Sequence, residues 1–275
     1  MSLLLTGRNG QVGSELEGIL QPALATDHAR LDLADPDAIR RVVREIKPDV
    51  IVNAAAYTAV DQAESEPELA MRINGVAPGV LAEEAKRGGA LLVHYSTDYI
   101  FDGAKRSPYV EDDAPNPLGV YGRSKLEGEA RIRGSGCRHL IVRTAWVYGQ
   151  GSNFVRAILR QAEKGAPLRV VNDQLGAPTW ATDIATVTAG LLAAQVEGTF
   201  HASAAGAASW YEVALEILRL AQRRAEVRAV STAEYGAKAP RPRYSVLDNS
   251  KLRAAGIAPI DEWHVRLAVH LKSAA

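Results

Sequence analysis

The sequence holds a single cysteine, Cys137, among 275 residues. A lone thiol excludes disulfides within the chain and any metal site built from several cysteines, and it suits a reducing compartment. Neither sign of charge is in excess, because 32 basic side chains balance 32 acidic ones. No global attraction to nucleic acid or to an anionic membrane is therefore expected. No apolar run nears the roughly 18 to 20 residues of a membrane span, and the opening MSLLLTGRNG meets glycine too early for the apolar core of a signal peptide. A cytoplasmic location is expected. The six histidines show no H-x-x-x-H or related ligand spacing, so no metal-binding residues are expected. Internal repeats, low-complexity tracts and flexible linkers are absent too.

What remains is a chain with 47% hydrophobic residues, enough to build a sizeable core without covalent staples. Short runs rich in Val, Ile and Leu alternate with stretches of helical spacing. Leu3 to Thr6 precedes Val12, Leu16, Ile19 and Leu20 on one helical face. Ala23 to Ala25 precedes a helix over Pro36 to Ile46, with Asp35 as N-cap and proline at the first position. Val50 to Val52 follows, then a long helix over Pro67 to Arg87 stopped by Gly88-Gly89, and Ala90 to Tyr95. A turn-rich loop from Phe101 to Pro117, a helix over Gly119 to Arg133 and a strand His139 to Val142 complete the series. Such alternation predicts an α/β fold whose parallel sheet is covered on both faces. Beyond residue 150 the rhythm loosens into helices over Phe154 to Lys164, Thr182 to Ala194, Trp210 to Arg224 and Trp263 to Leu271. Strands Leu168 to Val171 and Gly198 to Ala202 lie among them.

Gly7-Arg8-Asn9-Gly10-Gln11-Val12-Gly13 is G-x-x-G-x-x-G, placed where the first strand turns into the first helix. Glycines there let a pyrophosphate approach backbone N–H groups at the helix N-terminus. A tight turn alone is the plainer reading, but the position after a buried strand and before an amphipathic helix favours a dinucleotide. Asp32 and Leu33 suit the amino group and the face of an adenine ring, and equally suit a loop before a helix. Ala56, Tyr57 and Thr58, just past the third strand, lie where ligands sit in doubly wound folds, and the small residues before them leave room.

Tyr121 and Lys125 are four apart on a predicted helix, hence on one face. An ammonium near a phenol favours the phenolate, which lets tyrosine exchange a proton with an alcohol at neutral pH. Thr97, at the end of the fourth strand, has a hydroxyl to share the same substrate oxygen. An exposed helix pair would explain Tyr-x-x-x-Lys by itself; the glycine turn and the strand-end threonine make the catalytic reading stronger. Cys137, His94 and His201 fall in apolar strand patterns and read as core residues. The division expected is 1–150 for a dinucleotide-binding domain and 151–275 mainly for a substrate-binding lobe, with elements near 176–202 returning to the first sheet.

Taken together, these motifs resemble those of the extended short-chain dehydrogenases/reductases, and within them the dTDP-4-dehydrorhamnose reductases. The likeness rests on TGRNGQVG near the start, DVIVNAAAYTAVD at 49–61, ESEPELA at 64–70 and HYSTDYIFDG at 94–103. It continues in YGRSKLEGE at 121–129, RTAWVY at 143–148, NDQLGAPT at 172–179 and RPRYSVLDNSKL at 241–252. The resemblance implies a Rossmann-like doubly wound parallel sheet with a smaller C-terminal substrate-binding lobe. It implies NAD(P)H-dependent reduction of the 4-keto group of dTDP-4-dehydro-β-L-rhamnose to dTDP-β-L-rhamnose.

By position, the resemblance makes Tyr121 the proton donor. Lys125 lowers its pKa and holds the nicotinamide ribose, while Thr97 assists at the carbonyl. Gly10, Gln11 and Val12 meet the pyrophosphate, with Asp32, Leu33, Ala56, Tyr57 and Thr58 as further cofactor contacts. Asp98 and Trp146 touch the sugar. Arg241 and Arg243 are added on chemical grounds, since a nucleotide diphosphate needs cations. NADPH is expected on the resemblance, with NADH also accepted, because Asp27 suits a ribose 2′-hydroxyl while Arg8 and Arg30 suit a 2′-phosphate. A homodimer, with Mg²⁺ at its interface, is an option the resemblance carries without assignable ligands. Related 4,6-dehydratases place Glu after the Thr-Asp pair, where this sequence has Tyr99, so elimination lacks its base. Two alternatives stay open: a non-catalytic NADP-binding regulatory subunit of the methionine adenosyltransferase type, and a reductase for another 4-keto deoxysugar nucleotide.

Overall fold

The computed structural model describes residues 2–273. Five strands from the first half, β1 (Leu3–Thr6), β2 (Leu24–Thr26), β3 (Val50–Asn53), β4 (Leu91–Thr97) and β5 (Arg138–Thr144), form a parallel sheet. Its order is β10-β5-β4-β3-β1-β2, where β6 (Val147–Tyr148), β7 (Leu168–Val171), β8 (Leu175–Gly176) and β9 (Thr179–Trp180) intervene in sequence before β10 (Gly198–His201). β10 pairs with β5 at the sheet edge, Phe200 opposite Val142. Alternate side chains go to opposite faces. Leu3, Leu5, Val50 and Val52 join one apolar core, and Leu4 and Ile51 join the other.

Helices α1 (Gln11–Leu20) and α8 (Ala181–Ala193) cover the first face; α2 (Pro36–Ile46), α5 (Ala77–Gly88) and α6 (Val120–Ser135) cover the second. Asp35 caps α2 as expected, its carboxylate accepting from the N–H groups of Asp37 and Ala38. The long helix expected over Pro67 to Arg87 is broken: α4 (Pro67–Met71) passes through a π turn, Arg72–Val76, before α5 begins. A short α3 (Val60–Ala63), unanticipated, precedes it. Strand β4 runs two residues beyond the expected Tyr95, carrying Thr97 to the carboxyl edge of the sheet.

A third apolar core holds Tyr148, Val155, Val170, Val213 and Leu267. It is enclosed by α7 (Phe154–Glu163), α9 (Trp210–Leu220) and α12 (Trp263–Ser273). Beside it β11 (Ala208–Ser209) pairs with β8 and β12 (Val227–Val230) with β7; α10 (Thr232–Tyr235) and α11 (Ser250–Ala254) complete the chain. α9 stops short of the expected Arg224, and Gln222 lies in the left-handed region with φ 52°. Among the described residues no helix is long and apolar enough to cross a membrane. Among the described residues no group of three or more His, Cys, Asp or Glu is placed to hold a metal ion, and the Mg²⁺ option gains no support.

Candidate active site

The cofactor end begins at the turn from β1 into α1. Gly7 has φ 80° and sits so close under Ala55 that a Cβ would lie 2.6 Å from that residue's backbone nitrogen. A Cβ on Gly13 would collide with the Gly7 carbonyl, so only glycine lets α1 pack this tightly on the strand end. Helix α1 has no side-chain cap and no acidic residue in its first turn. Its leading N–H groups and the positive end of its dipole are left for an anion, as a pyrophosphate requires. The side chain of Gln11 is already engaged, donating to Val147 O at 3.3 Å and accepting from Asn153 Nδ2 at 3.1 Å. Gln11 and Val12 thus offer backbone rather than side chain.

Around this turn the predicted contacts separate. Asp32 Oδ1 accepts from Ala34 N at 2.8 Å, and Leu33 is buried in the apolar core. Ala56 and Tyr57 are partly buried and Thr58 is exposed, in the loop after β3. Tyr57 is pinned by Asn74, whose Oδ1 accepts from Tyr57 N and whose Nδ2 donates to Tyr57 O, both at 2.9 Å. Asn74 lies in the π turn and also donates to Ser124 Oγ on α6. Its role was invisible in sequence because the turn reads as plain helix. Of the residues suited to the adenosine ribose, Asp27 accepts from Arg30 N and Asn9 Nδ2, and Arg8 is held by Glu17 at 2.5 Å.

The catalytic end is built by β4 and α6. The N-terminus of α6 is fixed by Glu64, whose Oε1 accepts from Val120 N at 2.8 Å. Gly122 lets the helix rest on the Tyr99 carbonyl, where a Cβ would collide. Tyr121 lines a narrow cleft together with Val60, Glu64, Tyr99, Leu118 and Pro240. Burial pushes its phenol up to about 12, with the Thr97 hydroxyl opposing and the Asp98 carboxylate adding to the rise. The Lys125 ammonium, expected to hold this phenol down, is hydrogen-bonded to other groups. Lys125 Nζ donates to Tyr95 O at 2.5 Å and faces His94 Nε2 at 3.3 Å, on the underside of the site. Burial lowers Lys125 itself to about 8.

Thr97 Oγ1 donates to Asp98 Oδ1 at 3.0 Å and accepts from Tyr99 N at 3.1 Å. Asp98 is 2% exposed, and its Oδ2 is buried with no partner. Burial pushes this carboxyl up to about 7, against the Thr97 hydroxyl and that of Ser245, which lies near without a hydrogen bond to Oδ2. An orphaned acceptor beside the reacting groups fits a substrate hydroxyl. Trp146 adopts φ 48° and stacks face to face on Trp210, ring centroids 3.5 Å apart, at the edge of the third core. The two predicted arginines differ. Arg241 is already paired with Asp61 through 2.8 and 3.0 Å bonds, so its charge is matched before any diphosphate arrives, whereas Arg243 is exposed. Asp61 gave no signal in sequence, being 180 residues away. Cys137 is buried as expected, and burial pushes its thiol up.

The chain matches the family model of the RmlD substrate binding domain over residues 1–275. It is 44% identical to a dTDP-4-dehydrorhamnose reductase of Burkholderia thailandensis, covering 98% of this chain and 97% of that protein. A crystal structure of a dTDP-4-dehydrorhamnose reductase from Clostridium acetobutylicum superimposes with a TM-score of 0.96 at 39% identity, over 100% of this chain and 99% of the other. One from Bacillus anthracis, in complex with NADP, gives 0.95 at 36% identity over 99% and 100%. The chain therefore belongs to the RmlD family, the dTDP-4-dehydrorhamnose reductases, and is an NAD(P)-dependent oxidoreductase.

Proposed function

We propose that this chain reduces the 4-keto group of dTDP-4-dehydro-β-L-rhamnose to give dTDP-β-L-rhamnose, with NADPH as reductant. The observation that carries the reading is the packing of α6 on β4, with the Thr97 hydroxyl beside Tyr121 and Lys125 Nζ against the Tyr95 carbonyl. β1 and β3 end side by side, Thr6 opposite Asn53, and β4 runs three residues beyond His94, which lies opposite Asn53. The glycine turn and the catalytic groups thus share one sheet edge.

NADPH, when bound, supplies the hydride that adds to the carbonyl carbon. Tyr121 donates its phenolic proton to the carbonyl oxygen. A phenol raised to about 12 is fully protonated at neutral pH, which is the state a reduction needs. Thr97 holds the same oxygen when its hydroxyl proton turns to it from Asp98 Oδ1, and the unpartnered Oδ2 of Asp98 accepts from a sugar hydroxyl. Lys125 holds the ribose side of the cofactor and, by its charge, favours the phenolate left on Tyr121. Tyr99 is no carboxylate, so the position after the Thr97-Asp98 pair lacks the base that elimination of water needs. Trp146 bounds the sugar, and Arg243 is the exposed cation offered to the diphosphate. The preference for NADPH over NADH is supported by the NADP held in the Bacillus anthracis relative.

The test is a panel of 4-keto nucleotide sugars with NADPH and NADH, followed by loss of reduced-nicotinamide absorbance. Consumption only with the dehydrorhamnose nucleotide supports the reading. A folded chain inert to that compound, or faster with another sugar, overturns it.

A further inference from the structure

A row of buried polar side chains crosses the sheet beneath the site, one from each of three adjacent strands. Thr6 Oγ1 donates to Asn53 Oδ1 at 2.7 Å, and Asn53 Nδ2 meets His94 Nδ1 at 3.1 Å. The far nitrogen of His94, Nε2, lies 3.3 Å from Lys125 Nζ. His94 is 1% exposed and Asn53 0%. Polar groups at this depth cost stability unless satisfied, and each here spends its bonding capacity on the next. The row ends at the lysine.

We propose that His94 is a positioning residue for Lys125: the imidazole, fixed by Asn53 and Thr6, holds Nζ in place with the Tyr95 carbonyl. The inference rests on the reading of Tyr121 and Lys125 as the catalytic pair. Neutral imidazole has one donor and one acceptor nitrogen. With Asn53 donating to Nδ1, the proton sits on Nε2 and points at an uncharged amine. With the Asn53 amide reversed, Nδ1–H donates to Oδ1 and the Nε2 lone pair receives the ammonium. The second arrangement is the stronger, because a hydrogen bond from a charged group outweighs a neutral one, so the row favours the charged lysine; no proton leaves through it, since the Asn53 amide stands between His94 and Thr6. The other ionisable groups about Lys125 are Tyr121 and Glu129 on α6. Glu129 in turn is neutralised by Arg143 from β5 and Arg133. Burial and the Lys125 charge hold His94 well below the usual imidazole range, so it stays neutral.

Two polar replacements separate positioning from packing. The amide of His94→Gln reaches the place of Nε2 and meets Lys125; that of His94→Asn reaches only the place of Nδ1. The expected result is kcat within about twofold of the parent for Gln and a loss of tenfold or more for Asn, the order expected when a hydrogen bond to a charged group is lost. Adding Lys125→Met to His94→Asn should cost no more than Lys125→Met alone. Independently of turnover, the ¹³Cε resonance of Lys125, assigned by its disappearance in Lys125→Met, should titrate at lower pH in the Asn variant and at the parent's pH in the Gln variant. The NMR arm reads the contact even if the sugar specificity is wrong. Gln and Asn behaving alike, or losses that multiply with Lys125→Met, would overturn the proposal.

Discussion

Asp61 and Arg241 stand 180 residues apart and meet through two parallel hydrogen bonds of 3.0 and 2.8 Å. Asp61 Oδ1 also accepts from Ala239 N at 2.9 Å. The pair therefore fastens the segment around Pro240, which lines the cleft beside Tyr121, to α3. Asp61→Asn removes the charge that matches a largely buried guanidinium. Because Asp61 itself is about half exposed, the stability loss should be modest, about 1 kcal/mol in urea unfolding. The kinetic effect should be larger: KM for the nucleotide sugar up about five- to tenfold with kcat nearly unchanged, as expected when the wall rather than the chemistry is disturbed. A fall in kcat at constant KM would place Asp61 in the chemistry instead.

Removal of the Tyr121 hydroxyl should be the most selective lesion. Tyr121→Phe keeps the ring against Tyr99, 5.8 Å between centroids, and loses only the proton. General-acid catalysis contributes on the order of 10²- to 10⁴-fold, so kcat should fall by about 10³ while NADPH affinity, read by fluorescence titration, stays within a factor of two. A variant as active as the parent would mean that the carbonyl oxygen takes its proton elsewhere.

Much of this site is legible in the chain because its parts are local. The glycine turn, Tyr121 and Lys125 on one helical face, and Asp35 at the start of α2 each declare themselves within a few residues. What sequence hides is long-range or directional. β4 is buried on both faces, so His94 looks like one more core position, and only the lateral register Thr6-Asn53-His94 reveals its partners. Spacing puts Lys125 beside Tyr121 but does not say that Nζ turns toward Tyr95 O. The π turn at Arg72–Val76 keeps an ordinary helical pattern while moving Asn74 against Tyr57. The parallel pairing of β12 with β7, more than fifty residues away, has no local signature.

Asp98 carries a stability cost that its proposed contact with the sugar accounts for. Its carboxyl titrates at about 7, against 3.8 for an aspartate free in water, so the folded state holds its proton more tightly than the unfolded state. Folding stability is then greatest below the unfolded pKa and is lost as pH rises toward 7, by at most about 4 kcal/mol. Asp98→Asn should raise Tm at pH 8 and leave it nearly unchanged at pH 4, while slowing turnover by removing an acceptor for the sugar. Equal shifts in Tm at both pH values would show that the ionised carboxylate is not the source of the cost.

The opposite sign holds for Glu129. It is 0% exposed and joined to Arg143, itself 2% exposed, by bonds of 3.0 and 2.8 Å, with Arg133 at 2.7 Å on the second oxygen. Burial alone would raise this carboxyl, but the Arg143 and Arg133 guanidinium groups and Ser96 hold it below the usual range. Its contribution is therefore present above the unfolded pKa, about 4.3, and lost as pH falls through the lower folded value. Arg143→Met leaves a buried carboxylate with one exposed partner and takes the donor from Glu111 O. That should cost about 3 to 5 kcal/mol at pH 7. Protonation of Glu129 should then relieve part of the loss at pH 4.5, narrowing the gap to the parent. Glu129→Leu combined with Arg143→Met removes both charges and should lose less than Arg143→Met alone. Urea unfolding of the three variants at both pH values checks the order, and a double variant weaker than the single would show that the pair contributes net stability as a unit.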